Sequence, residues 1–187
     1  MPVFESKETI RCPRCGSCNV VGAPNALAGS KRATEYKWFC ANCGAFFGNL
    51  DDDSKYEKIT REISLEIKGF FKDKFMFHAQ SSEDGMSYQV ASSNKNINYN
   101  GIASQEDWTR LSNALFSQCF IKDWKSVYYS SDLVDGTSWS LEIKLKRKHA
   151  IQFCGCNGFP PYWNRLLDVL RAFAIVAGIS LDEFRTE

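Results

Sequence analysis

The chain has 187 residues, with 23 Lys and Arg against 22 Asp and Glu and a net charge of +1. Apolar residues make up 44% and charged residues 24%, the proportions of an ordinary globular protein. That balance excludes bulk attraction to nucleic acid or to an anionic membrane, and the length excludes a large multidomain enzyme. Residues 1–12 carry charges of both signs and no apolar run, so no secretory leader is read there. The most apolar stretch, 166–181, is interrupted by Asp168 and Arg171 and does not read as a membrane-spanning helix. The expected location is cytoplasmic. In a reducing compartment the eight cysteines point to metal ligation before disulfides.

Five of the eight cysteines fall in residues 12–43. Residues 1–50 hold six basic and three acidic residues, net +3, and the remainder is net −2. Between them Asp51-Asp52-Asp53-Ser54 reads as a solvated linker, separating an N-terminal segment (1–50) from a body (55–187). In the body, Ile63, Leu65 and Ile67 recur at period two, as do Phe75 and Phe77, and both runs predict half-buried strands. Asp84-Gly85 reads as a turn before a strand near Tyr88 and Val90, and the polar stretch 94–100 as a loop. Ser104 and Asp107 match a capping box, and Trp108, Leu111 and Leu115 then share a helix face.

A further strand is expected over 124–129, then an Asp135-Gly136 hairpin, then alternation at Trp139, Leu141, Ile143 and Leu145. Lys146-Arg147-Lys148 reads as the next turn and 150–154 as a short strand. Pro160-Pro161 opens the last helix, whose apolar stripe is Trp163, Leu166, Leu167, Leu170, Ala174 and Ala177, with Gly178 placed to end it. The two Asp-Gly pairs are offset by 51 residues and the two Trp-led helices by 55, a pattern compatible with two strand–turn–strand–helix units. The expected fold is α+β, a mixed or antiparallel sheet packed by two amphipathic helices behind the N-terminal segment.

That segment carries the most specific signal. Cys12-Pro13-Arg14-Cys15-Gly16 and Cys40-Ala41-Asn42-Cys43-Gly44 share the pattern Cys-x-x-Cys-Gly, with 24 residues between Cys15 and Cys40. Two intervening residues let one tight turn aim both thiolates at one ion, and the following Gly can take the positive φ that turns the chain back. Four thiolates make a closed tetrahedral shell suited to structural zinc, and iron suits the same donors. Cys18 repeats the two-residue spacing after Cys15, but no Gly follows it, which favours Cys15. The pattern resembles the zinc-ribbon family, over about the first 50 residues. The resemblance implies Cys12, Cys15, Cys40 and Cys43 as ligands of one metal, with a β-hairpin between the knuckles. Rubredoxin-type iron sites use similar knuckles.

Zinc ribbons often belong to proteins of transcription, replication and mobile elements. Lys31, Arg32 and Lys37, close to Tyr36, Trp38 and Phe39, are the residues of the ribbon suited to phosphate and base contact. Packing of Trp38 and Phe39 on the metal site is the competing use. The acidic pair of transcript-cleavage ribbons has no counterpart in Ser30-Lys31-Arg32-Ala33. Lys144, Lys146, Arg147 and Lys148 form a second basic cluster, otherwise a solvated turn guarding a sheet edge. No hydrolase, metalloprotease, Walker or dinucleotide motif occurs. Cys154 and Cys156 read as half-buried thiols at a strand end, with a thiol-dependent enzyme as the alternative.

Residues 139–170, with Gly155-Cys156-Asn157-Gly158-Phe159-Pro160-Pro161-Tyr162-Trp163, resemble an uncharacterised segment of bacterial and phage proteins. The sequence thus reads as a non-catalytic zinc-ribbon protein acting on DNA or RNA, or on a nucleic-acid-processing protein such as a nuclease. A phage or mobile-element inhibitor of a host defence nuclease, of the anti-CRISPR kind, is the nearest rival.

Overall fold

The computed structural model describes residues 9–23, 31–49, 56, 58–69, 74–130 and 136–186. The chain is α+β, with ten strands in two sheets. In the N-terminal part, β1 (Val20–Gly22), a short helix α1 (Lys31–Glu35), β2 (Tyr36–Cys40) and β3 (Phe46–Asn49) give a three-stranded sheet in the order β1-β2-β3. The expected linker 51–54 lies outside the described residues.

The body is a seven-stranded sheet. Its strands are β4 (Thr60–Gly69), β5 (Lys74–Ser82), β6 (Gly85–Ser92), β7 (Ile97–Ala103), β8 (Val127–Tyr129), β9 (Thr137–Leu145) and β10 (Ala150–Cys156), in the order β7-β6-β5-β4-β9-β10-β8. All neighbours are antiparallel except β10 and β8, so the sheet is mixed. Two helices follow strands of this sheet: α2 (Gln105–Asn113), which continues as one wider π-helical turn over Ala114–Gln118, and α3 (Trp163–Val176).

Period-two alternation decides which face these helices cover. Ile63, Leu65, Ile67, Phe75, Phe77, Ala79, Trp139, Leu141 and Ile143 are buried on one side. Against them pack Trp108 and Leu111 of α2 and Trp163, Leu166, Leu167, Leu170 and Ala174 of α3. Trp139 and Trp163 meet at 5.0 Å and Phe77 and Phe173 at 5.6 Å. Close approach dictates Gly155 on β10: a Cβ there would stand 2.3 Å from Trp139 Nε1. The capping box forms as the spacing predicts, with Asp107 N–H donating to Ser104 Oγ and Ser104 N–H to the Asp107 carboxylate. Gly178, at a φ of 73°, ends α3.

Three expectations change. The stretch 94–100 is not all loop, because β7 starts at Ile97; its polar Asn98 and Asn100 are the solvent half of an alternating strand. The strand expected over 124–129 is only Val127–Tyr129, since Trp124 is buried with its Nε1–H donating to the Cys119 carbonyl. β8 pairs in parallel with β10 and does not form a hairpin with β9. Asp135 itself lies outside the described residues.

Candidate metal centre

Both Cys-x-x-Cys-Gly motifs fold alike. Gly16 N–H donates to the Cys12 carbonyl (2.8 Å) and Gly44 N–H to the Cys40 carbonyl (2.9 Å). Cys12 N–H donates to the Ser17 carbonyl and Cys40 N–H to the Ala45 carbonyl, both at 2.9 Å. Gly16 and Gly44 sit at φ 72° and 71°, the left-handed region where a Cβ is strained. The pairing of β1 with β2, in the register Val20↔Cys40, brings the two turns together although 24 residues separate Cys15 from Cys40.

The four sulfurs converge. Cys12 Sγ is 3.6 Å from Cys43 Sγ, Cys15 Sγ is 3.7 Å from Cys40 Sγ, and all four lie within 4.8 Å of one another. A tetrahedral ion at a metal–sulfur distance of about 2.3 Å needs sulfur–sulfur edges of about 3.8 Å. The thiols therefore fit such an ion with little rearrangement. Cys12 and Cys40 are fully buried, whereas Cys15 and Cys43 face solvent. Cys18 is exposed and outside the cluster, as the missing glycine predicts.

The thiols are unequal without a metal. Burial pushes Cys12 up to about 12, and burial also raises Cys43. Cys15 is lowered to about 7, chiefly by a backbone hydrogen bond from Ser17. A divalent cation at the centre reverses the cost of the buried thiolates by supplying the missing positive charge.

The cluster is fastened to the body by a residue that motif spacing could not reveal. Tyr162, just before α3, uses its hydroxyl twice on the first knuckle: it accepts from Arg11 N–H (3.1 Å) and donates to the Arg11 carbonyl (2.7 Å). Phe120 bridges the two parts, edge-on to Phe47 of β3 at 5.5 Å and to Tyr162 at 5.0 Å. Gly48 N–H adds a bond to the Asp123 carboxylate (3.2 Å). Tyr162→Phe leaves the Arg11 backbone groups without this partner. We expect a stability loss of about 1–2 kcal/mol in urea denaturation and faster metal loss to a chelator.

The other sequence-predicted residues do not assemble into one surface. Lys31 and Arg32 open α1, and their side chains lie outside the described structure. Lys37 is half-buried on β2. Lys144 is engaged with Glu62 at 2.7 Å and, at 3.8 Å, with Glu142, which raises its pKa. Lys146, Arg147 and Lys148 form a 3₁₀ turn at the end of the β9–β10 hairpin away from Cys156, with Arg147 at a φ of 64°; the Lys148 side chain lies outside the described structure. Trp38 is half-buried against the core and Phe39 packs on Phe46 at 4.9 Å, so part of the ribbon's aromatic content serves packing. Cys154 and Cys156 are exposed where half-burial was expected, because both point to the face of β10 that carries no helix.

That open face is the polar half of the strand alternation. One row across it is Asn100, Gln89, His78, Ser64, Glu142 and Gln152, lining with neighbouring rows a shallow groove of about 750 Å³. Ser64 Oγ is 3.0 Å from His78 Nδ1, and the Glu62 carboxylate approaches the same nitrogen at 3.8 Å. A relay needs the acid on one ring nitrogen and the hydroxyl on the other, so this trio is not arranged to activate Ser64. Glu66 is paired with Lys68 and Lys74, which lower its pKa, and Gln152 donates to Glu142.

Comparison with protein-family models, curated proteins and solved structures finds no match to this chain, and so none for the resemblance read in residues 139–170. Among the described residues no helix is long and apolar enough to cross a membrane. The sequence and geometry define an α+β protein with a four-cysteine cluster able to hold a metal ion such as zinc.

Proposed function

We propose that this chain is a non-catalytic binding protein in which one structural zinc holds the N-terminal ribbon on the sheet-and-helix body, and that it acts on a protein, of the nucleic-acid-processing class that zinc ribbons commonly accompany. The convergence of four thiols at tetrahedral spacing carries this reading, since they fill the coordination shell and leave no position for substrate or water. The charge pattern favours a protein partner over direct nucleic-acid binding. Lys144 is neutralised by Glu62, Arg110 by Glu106 and Asp107, and Arg171 and Arg185 by Asp168 and Asp182. Any direct phosphate contact is left to the ribbon, where Arg11 and Arg14 are exposed, with Lys31, Arg32 and Lys37 as the further candidates.

Titration against duplex and single-stranded DNA at several salt concentrations tests the choice. The proposal expects weak binding, abolished by Ala at Lys31, Arg32 and Lys37, with a log–log salt slope of about 3 or less for three phosphate contacts. Nanomolar, sequence-selective binding at physiological salt would overturn it.

A further inference from the structure

We propose that β7 is a dimerisation edge, pairing antiparallel with β7 of a second copy so that the seven-stranded sheet runs on across both chains. A sheet edge presents unpaired backbone N–H and C=O groups, and proteins blunt such edges with short strands, Lys, Pro or bulges. The opposite edge follows that rule: β8 is only three residues long. β7 does not. It runs for seven residues, Ile97-Asn98-Tyr99-Asn100-Gly101-Ile102-Ala103, without a charge or a proline. Its pairing with β6 is regular throughout, so no bulge twists it away. Among the described residues nothing pairs with its outer side. Ile102, the most exposed large apolar residue of the described chain at 89%, stands on this strand.

A second copy fits this edge better than an arbitrary strand. Centring a two-fold axis on Asn100 keeps the open faces of both copies on one side. Asn100 then meets itself, Asn98 faces Ile102, and Tyr99 faces Gly101, a large residue against the one position without a side chain. Beyond the strand ends the charges complement each other. The same register brings Lys95, exposed in the β6–β7 turn, beside Glu106 of the second copy at the start of α2, and the symmetry makes this contact twice. Strand pairing alone is small against the ~1,200 Å² total of a stable interface. Exposed Val176, which lines one groove with Tyr88 and Ala103, and its exposed neighbour Ile175 extend the contact on the helix side.

The test is sedimentation velocity on the metal-loaded full chain from about 1 to 300 µM, with a dissociation constant on the order of 10–100 µM expected for so small an interface. Asn100→Lys sets two ammonium groups face to face at the axis and is expected to weaken the dimer about tenfold or more, with an unchanged circular dichroism spectrum. Lys95→Glu is expected to weaken it, and Lys95→Glu with Glu106→Lys to restore it. In the unmutated chain, amide exchange over 97–103 is expected to slow at the higher concentration. A monomer at every concentration overturns the proposal. So does a dimer that Asn100→Lys leaves intact or whose β7 amides exchange at a concentration-independent rate, since its interface would lie elsewhere.

Discussion

Removing the metal from the intact chain is expected to unfold the ribbon completely and to weaken the body. The buried residues of the ribbon are few: Cys12, Cys40, Ala45 and Phe47 enter the common core, and two of these four are proposed ligands. So small a core does not hold a segment of this size without help. Structural zinc in comparable segments supplies about 10–16 kcal/mol of apparent binding free energy, more than the whole stability of many domains. Cys12→Ser or Cys43→Ser is therefore expected to give a metal-free ribbon without a cooperative transition. The body loses its contacts through Phe120 and Tyr162, and its remaining stability is expected to fall by about 2–3 kcal/mol. Denaturation followed by circular dichroism and by zinc content on the same samples checks both parts.

The same account fixes a pH dependence. Cys12, at about 12 without metal, and Cys43, raised by burial, hold their protons up to pH 9 and must release them on binding. Cys15, at about 7, is mostly ionised above neutrality and joins the release only below it. Metal affinity is thus expected to rise at least a hundredfold per pH unit between about pH 7 and 9, and more steeply below 7, because each released proton contributes tenfold. For the metal-free fold the signs differ. The raised Cys12 contributes stability below its ordinary value that is lost as pH climbs towards 12, while the lowered Cys15 contributes stability that is lost as pH falls through 7.

The second large effect is at Trp163. This side chain is fully buried between Trp139 and Phe159, each at 5.0 Å, and its Nε1–H donates to the Phe184 carbonyl at 2.8 Å. Trp163→Ala opens a cavity worth about 3–5 kcal/mol and leaves a buried carbonyl unpaired at about 1–3 more. The sum approaches the total stability of an ordinary domain, so the variant is expected to be largely unfolded at 37 °C. Trp163→Phe keeps most of the ring packing and is expected to cost about 2 kcal/mol, a drop in Tm of roughly 4–8 °C. Thermal denaturation of the two variants beside the unmutated protein separates packing from the hydrogen bond.

Local pattern made the strands β4, β5, β6 and β9, both long helices and the metal cluster legible in the sequence. In each, the determining residues lie a few positions apart: Ile63, Leu65 and Ile67 at period two, Leu166, Leu167 and Leu170 on a helix face, Cys12 and Cys15 in one turn. What stayed hidden depends on partners distant in the chain. β7 looked polar because Asn98 and Asn100 are its solvent half, and only pairing with β6 shows the alternation. The parallel partnership of β8 with β10 is set by packing around Trp124, which overrides the Asp-Gly turn signal. Tyr162 reaches Arg11 across 151 positions. The exposure of Cys154 and Cys156 follows from helices covering one side of the sheet only, a property of no single segment.

X-ray absorption at the zinc edge on the purified full-length chain, with metal stoichiometry from the same sample, tests the central claim most directly. The account predicts one zinc per chain with four sulfur neighbours at about 2.3 Å and no nitrogen or oxygen in the shell. A chain purified without metal, or a zinc with oxygen or nitrogen neighbours in place of one of the four thiolates, would contradict it.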